Sequence, residues 1–147
     1  MKIQRGPTII AGKSAGFGKG SVVTGAKGFV WLSGSTGIDF KTGIIPESPS
    51  EQAKLAMENI KTELEEYGSS LKNIVFWRRY IVGEFPNGIS NDSRYQEINN
   101  AWQEFWKENG CLEFLRENDP PASTLLGVTA LARPEYLLEI EVVAAIE

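Results

Sequence analysis

The chain has no histidine. That single absence removes imidazole acid–base catalysis, Ser-His-Asp and Cys-His nucleophilic triads, and any zinc site with a histidine ligand. One cysteine, Cys111, excludes an internal disulfide and a thiolate metal cage within one chain, and it is compatible with a reducing compartment. No apolar run approaches the roughly 18 residues of a membrane span, and Met1-Lys2-Ile3-Gln4-Arg5-Gly6 is not followed by the apolar core of a signal peptide. A net charge of −4 offers no electrostatic footprint for nucleic acid or an anionic membrane. The expectations are a cytoplasmic protein of one domain, residues 1–147, with no nucleic-acid or membrane partner. Acid–base chemistry near neutral pH then falls to carboxylates, Lys, Tyr, backbone groups or water.

The C-terminal stretch is the most informative. From Leu137 the chain alternates: Leu138, Ile140, Val142, Ala144 and Ile146 share one strand face, which reads as core. Leu137, Glu139, Glu141, Val143 and Ala145 share the other. Two carboxylates on one face fit a solvated surface. Their apolar flanks weigh toward cover by another subunit or around a small cavity, where desolvation raises a carboxyl pKa into a useful range.

Near the N-terminus, Gly12-Lys13-Ser14 imitates the end of a phosphate-binding loop and Gly16-Phe17-Gly18-Lys19-Gly20-Ser21 a dinucleotide fingerprint. The first has Pro7 where its leading glycine belongs and no helix after it, and the second has Ser21 in place of its third glycine. A loop between short strands, able to act as a flap, accounts for the glycines.

Phe29 to Ser33 reads as a strand, with Trp31 and Ser33 on one face and Val30 and Leu32 on the other. A helix starts at Ser48-Pro49-Ser50-Glu51, which supplies an N-cap, a first-turn proline and a capping glutamate. Ala53, Met57, Ile60, Leu64 and Tyr67 form its apolar stripe, and Gly68 closes it. Ile74 to Val82 is the next strand, apolar but for Arg78 and Arg79, and Glu84 to Ser93 is a polar loop. A second helix spans Ser93 to Asn109, with Tyr95, Ile98, Trp102 and Phe105 buried and Asn99 beside them. A charged connection, Leu112 to Asp119, leads to strands at Ser123–Leu131 and Leu137–Ile146. This order predicts an α+β fold, two helices on one face of a mixed sheet. The uncovered face, bearing Glu139 and Glu141, predicts an oligomer.

The chain resembles the Rid (YjgF/YER057c/UK114) family from about Gly28 to its end. The resemblance rests on Leu32-Ser33-Gly34, Lys41-Thr42-Gly43, Gln52-Ala53 with Glu58-Asn59-Ile60, Ile98-Asn99, Pro121-Ala122 and Glu139-Ile140-Glu141. It implies a chorismate-mutase-like fold and a homotrimer with clefts between subunits. It also implies hydrolysis of small enamines and imines to a ketone and ammonia without metal or cofactor. By that likeness Glu139 holds or activates water, Ser33, Gly34 and Asn99 contact the ligand, and backbone groups near Thr124 and Leu125 hold its polar end.

The departures bear on substrate. Ser123 stands where the deaminase subgroup has an arginine that grips a carboxylate, Leu125 replaces a cysteine, and Gly20 aligns with the flap tyrosine. Arg78, Arg79 and Arg133 are the candidates to supply the missing guanidinium. Trp31 beside Ser33 suits a flatter ligand or simple core packing, and both connecting loops are long enough to reshape a cleft. Two functions follow: a hydrolase of the deaminase type acting on a small unsaturated, imine or ring-derived metabolite, or a non-catalytic trimeric module that binds a small molecule or protein.

Overall fold

The structure is a computed structural model that describes residues 1–115, 118 and 120–147. Among the described residues a seven-stranded mixed sheet runs in the order β1 (Lys2–Ile10), β2 (Lys13–Thr24), β6 (Ala122–Val128), β5 (Ile74–Val82), β7 (Leu138–Ile146) and β3 (Gly28–Trp31), with the short β4 (Ser35–Thr36) pairing on β7. Its central strands are β5 (Ile74–Val82), β6 (Ala122–Val128) and β7 (Leu138–Ile146). β5 runs parallel to β6 and antiparallel to β7. β3 (Gly28–Trp31) and β4 (Ser35–Thr36) line the far edge of β7.

Both helices lie on one sheet face. α1 (Pro49–Glu66) begins at Ser48, whose hydroxyl accepts from the Glu51 amide. α2 (Ser93–Glu108) begins at Asp92, whose carboxylate accepts from the Tyr95 amide. Their apolar stripes bury Ala53, Met57, Ile60 and Leu64 from α1 and Ile98, Trp102, Phe105 and Trp106 from α2. These pack on Leu138, Ile140, Val142 and Ala144 of β7, the face expected from the alternation. Trp77 meets Trp102 and Trp106 edge-on, at 5.4 and 5.6 Å between ring centres. Tyr67 departs from the expected stripe: it is the C-cap and 63 % exposed, because Gly68 turns the chain at a positive φ before Tyr67 can face the sheet.

The glycine-rich N-terminus corrects the sequence reading. It is a long hairpin of β1 (Lys2–Ile10) and β2 (Lys13–Thr24), closed by a two-residue turn at Ala11 and Gly12, both at positive φ. Gly18 explains part of the composition: a Cβ there would collide with the backbone of Pro120 and Pro121, and its N–H donates to the Pro121 carbonyl. Glycine here permits backbone approach inside a strand, a signal that imitates a loop in sequence. The β2–β6 pairing is a single step, Gly18 with Ala122. Arg5 adds a tether, donating to the Lys72 and Ile74 carbonyls.

The connection expected from Leu112 to Asp119 begins with a 3₁₀ turn, Leu112–Phe114, that buries Phe114; its residues 116, 117 and 119 lie outside the described residues. β6 ends at Val128, short of Leu131, and no described helix is long and apolar enough to cross a membrane.

Candidate functional site

The sheet divides the expected site residues into two groups. Tyr80 pairs with Glu139 and Arg79 with Ile140, so adjacent residues of β5 face opposite sides of the sheet. Glu139, Glu141, Arg78, Tyr80 and Trp31 belong to the face without helices. Arg79, Ser123, Leu125 and Asn99 gather on the helix side.

On the open face, the Glu139 carboxyl sits over Gly34. A Cβ built on Gly34 would collide with Oε1 and the carboxyl carbon of Glu139. Register places Glu139 between Thr36 of β4 and Tyr80 of β5, and Ser33 and Gly34 are exposed just before β4. Partial burial raises the Glu139 pKa above the usual carboxylate value, and the charge of Glu141 raises it further. Glu141 is anchored instead. Its Oε2 accepts from Arg78 Nη1 at 2.9 Å and from the Tyr80 hydroxyl at 3.0 Å.

Trp31 does not join Glu139. It is 71 % exposed, pairs with Val143, and lines a shallow groove with Phe76, Arg78 and Glu141. Val143 lies four residues along the strand from Glu139, roughly 13 Å away. Thr124 pairs with Arg78 and is exposed on this face as well.

On the helix side a cavity of about 220 Å³ opens between α2, β6 and the hairpin. Asn99, Ser123 and Leu125 line it, apart from Ser33, Gly34, Thr124 and Trp31, with which the sequence reading placed them in one site. Arg79, Tyr95 and Gln103 add polar groups, and Phe17, Trp77 and Phe114 add aromatic walls. Ala15, Gly16 and Phe17, and not Gly20, are the hairpin residues that line this cavity; a Cβ at Gly20 would meet nothing within 4 Å. Of the three arginines weighed from sequence, Arg79 is the one here, donating from Nη2 to Ser123 Oγ at 3.2 Å. Arg78 is committed to Glu141, and Arg133 lies over the Tyr136 ring. Tyr95 was assigned to the core by its helical spacing. It is indeed buried, yet it also lines the cavity, which periodicity cannot reveal.

Among the described residues no cluster of three His, Cys, Asp or Glu could hold a metal ion. Cys111 is buried, and desolvation pushes its thiol pKa up, away from nucleophilic reactivity.

The profile of the family described as Endoribonuclease L-PSP matches residues 15–146. The chain belongs to the YjgF/Rid family. This Rid protein is 30 % identical over 117 residues to a RutC family protein of Pyrococcus abyssi, covering 79 % of this chain and 77 % of that one. It is similar to E. coli TdcF, solved with bound serine, at 26 % identity and a TM-score of 0.64, covering 97 % of this chain and 94 % of that one. The E. coli YjgF gene product shares the fold at 22 % identity and a TM-score of 0.66, again over 97 % of this chain and 94 % of that one. These likenesses agree with the α+β architecture of a mixed sheet carrying two helices.

Proposed function

We propose that this Rid protein is a hydrolase of the deaminase type, acting on a small imine, enamine or ring-derived unsaturated metabolite without metal or cofactor. The observation that carries the reading is the Glu139 carboxyl, held over Gly34 on the open sheet face with its pKa raised by burial. A carboxyl poised this way can take a proton and return it near neutral pH. Water held by Glu139 attacks the carbon of the protonated C=N and gives a proton to the carboxylate, forming a carbinolamine. The carboxyl then protonates the carbinolamine nitrogen, and as the C–N bond breaks the hydroxyl proton returns to the carboxylate, leaving a ketone and ammonia. Ser33 and the backbone at Gly34 border the space where that carbon would lie.

The two groups of site residues support an inter-subunit cleft. Glu139 and the Arg79 cavity lie on opposite sides of one sheet, so a small ligand cannot touch both within one chain. Assembly as a homotrimer, placing the open face of one copy against the cavity mouth of the next, joins them. The relative solved with serine fits a small ligand with amino and carboxylate groups. The ribonuclease activity in the family's description draws no support from a net charge of −4.

The test is ammonia release from 2-aminoacrylate generated in situ, with wild type and Glu139→Gln compared as assemblies of equal mass. Acceleration by wild type that Glu139→Gln abolishes is expected. Equal rates for the two proteins above background would remove Glu139 from the chemistry. No acceleration with any imine or enamine tried would leave the non-catalytic binding module.

A further inference from the structure

We propose that the groove between the loop at residues 39–44 and the outer flank of α1 is a docking surface for a segment of a partner protein in which lysine or arginine stands beside a large apolar side chain. The inference is independent of the proposed function, because the groove shares no residue with the helix-side cavity or with the neighbours of Glu139.

Two large apolar side chains of that loop stand in solvent, Phe40 at 67 % and Ile44 at 63 % exposure. The backbone that carries them is braced. Asp39 Oδ1 accepts from the Lys41 and Thr42 amides at 2.8 and 3.2 Å, and the Gly43 amide donates to the Asp39 carbonyl at 2.7 Å. The Asp39 amide donates to the Ile44 carbonyl at 2.9 Å, which closes the loop and brings Ile44 back beside Phe40. From α1, the Asn59 carboxamide donates to the Thr36 and Ile38 carbonyls at 3.1 and 2.9 Å and so fixes the approach to the loop. A side chain displayed on a braced backbone loses little further freedom when a partner covers it, the condition of an interface anchor.

Beside Phe40 a groove of about 500 Å³ runs along α1, more than twice the volume of the helix-side cavity at about 220 Å³. Leu55 shares its apolar lining with Phe40, and Glu58, Glu63 and Glu66 bring carboxylates to it from successive turns of one helix flank. A small cationic metabolite in the groove would leave Ile44, which lies outside it, in water. A stretch of polypeptide covers groove and loop together.

Charge decides the chemistry of that polypeptide. The last turn of α1 carries Glu63, Glu65 and Glu66 and no basic residue, so the helix ends with its carboxylates against its own dipole. Burial pushes the Glu63 carboxyl above the usual carboxylate range, and the charge of Glu66 pushes it further. The two lysines of α1 bring no relief: Lys54 pairs with Glu108 at 3.3 Å and Lys61 donates to Asn109 at 2.9 Å, both toward α2. Among the described residues Glu58, Glu63 and Glu66 have no ion-pair partner, and Lys41 is the only base lining the groove. A cationic side chain laid along these carboxylates, with its apolar neighbour on Phe40 and Leu55, relieves the repulsion, whereas an acidic segment is rejected.

The experiment follows the fluorescence anisotropy of labelled peptides added to the wild-type assembly: KLFKLLK, and the same sequence with glutamine or glutamate in place of every lysine. The lysine peptide is expected to bind at least about tenfold more tightly than the glutamine peptide, and the glutamate peptide more weakly than both. Phe40→Ala should weaken the lysine peptide at least about fivefold, the loss of an interface anchor. Glu63→Gln with Glu66→Gln should weaken it about three- to tenfold, as expected for two partly exposed charge pairs, and should raise the melting temperature by relieving the helix end. Glu97→Gln with Glu104→Gln, which removes the same charge from exposed positions of α2, should leave the affinity unchanged. Failure of the lysine peptide to bind below about 1 mM, binding that Phe40→Ala leaves intact, or an equal loss in the α2 control would overturn the proposal. Sedimentation of Phe40→Ala tests the other occupant: a broken assembly would mean that a second copy of this chain fills the groove, and would overturn it as well. Glu139→Gln should bind the lysine peptide as wild type does, so that failure of the hydrolase reading and failure of this one are separately visible.

Discussion

Gly34 and Glu139 share one space: the carboxyl of Glu139 occupies the position that a Cβ on residue 34 would need. The atoms in the way belong to the side chain of Glu139, whose end can swing aside, and Gly34 is not held at positive φ. Gly34→Ala should therefore leave thermal stability within about 1 kcal/mol of wild type. It should displace the carboxyl and lower turnover sharply. The check is a double-mutant cycle in which Gly34→Ala adds nothing to the loss caused by Glu139→Gln. Additive losses would mean that Gly34 acts on something other than this carboxyl.

The raised pKa of Glu139 has a stability counterpart. Its protonated form is favoured in the folded chain, so the fold binds more protons than the unfolded chain between the two pKa values. Stability is therefore lost as pH rises through that window, and the carboxylate penalises the fold at neutral pH. Glu139→Gln removes the penalty. Its melting temperature should exceed that of wild type at pH 7 and converge with it below the ordinary carboxylate pKa. A melting series from pH 4 to 8 checks the sign, and a variant less stable than wild type at pH 7 would contradict it.

Much of the architecture was legible because one face of each element is strongly apolar. The alternation at Leu138, Ile140, Val142 and Ala144 and the stripes Ala53–Leu64 and Ile98–Phe105 assigned the sheet and both helices correctly. The N-terminal hairpin was hidden, since Gly16, Gly18 and Gly20 imitate a loop when the backbone approach that needs Gly18 comes from Pro120 and Pro121, about a hundred residues away. The candidate site was only half legible. Glu139 stood out as a carboxylate among apolar neighbours, whereas the preference of Arg79 over Arg78 for the cavity depends on which side of β5 the helices cover. Trp31 shares an alternating pattern with Ser33, yet β3 ends at Trp31, and the chain then turns toward Gly34 without it.

Glu141 separates charge from chemistry. Arg78 and Tyr80 hold its carboxylate, and its negative charge is the second cause of the raised pKa at Glu139. Glu141→Gln should keep turnover and shift the pH at which activity rises toward the acid side, because Glu139 ionises more easily beside a neutral amide. A pH–rate profile of the variant checks this. A shift toward the alkaline side, or a loss as deep as that of Glu139→Gln, would assign Glu141 a different role.

Gln52 ties the fold to the site. Its side chain, 1 % exposed, donates to the Pro46 carbonyl at 2.7 Å and the Glu135 carbonyl at 2.8 Å and accepts from the Leu137 amide at 2.9 Å. One side chain thus joins the start of α1 to the turn that delivers β7. Gln52→Ala removes three hydrogen bonds and leaves the Leu137 N–H without its acceptor, a loss of roughly 1.5–4.5 kcal/mol at about 0.5–1.5 kcal/mol for each bond. Urea denaturation should show a lower midpoint with an unchanged slope. Leu137 precedes Glu139 by two residues, so the loosened turn should also cost turnover under conditions where the variant remains fully folded. A variant with wild-type turnover and reduced stability would mean that β5 and β4 alone hold the carboxyl in place.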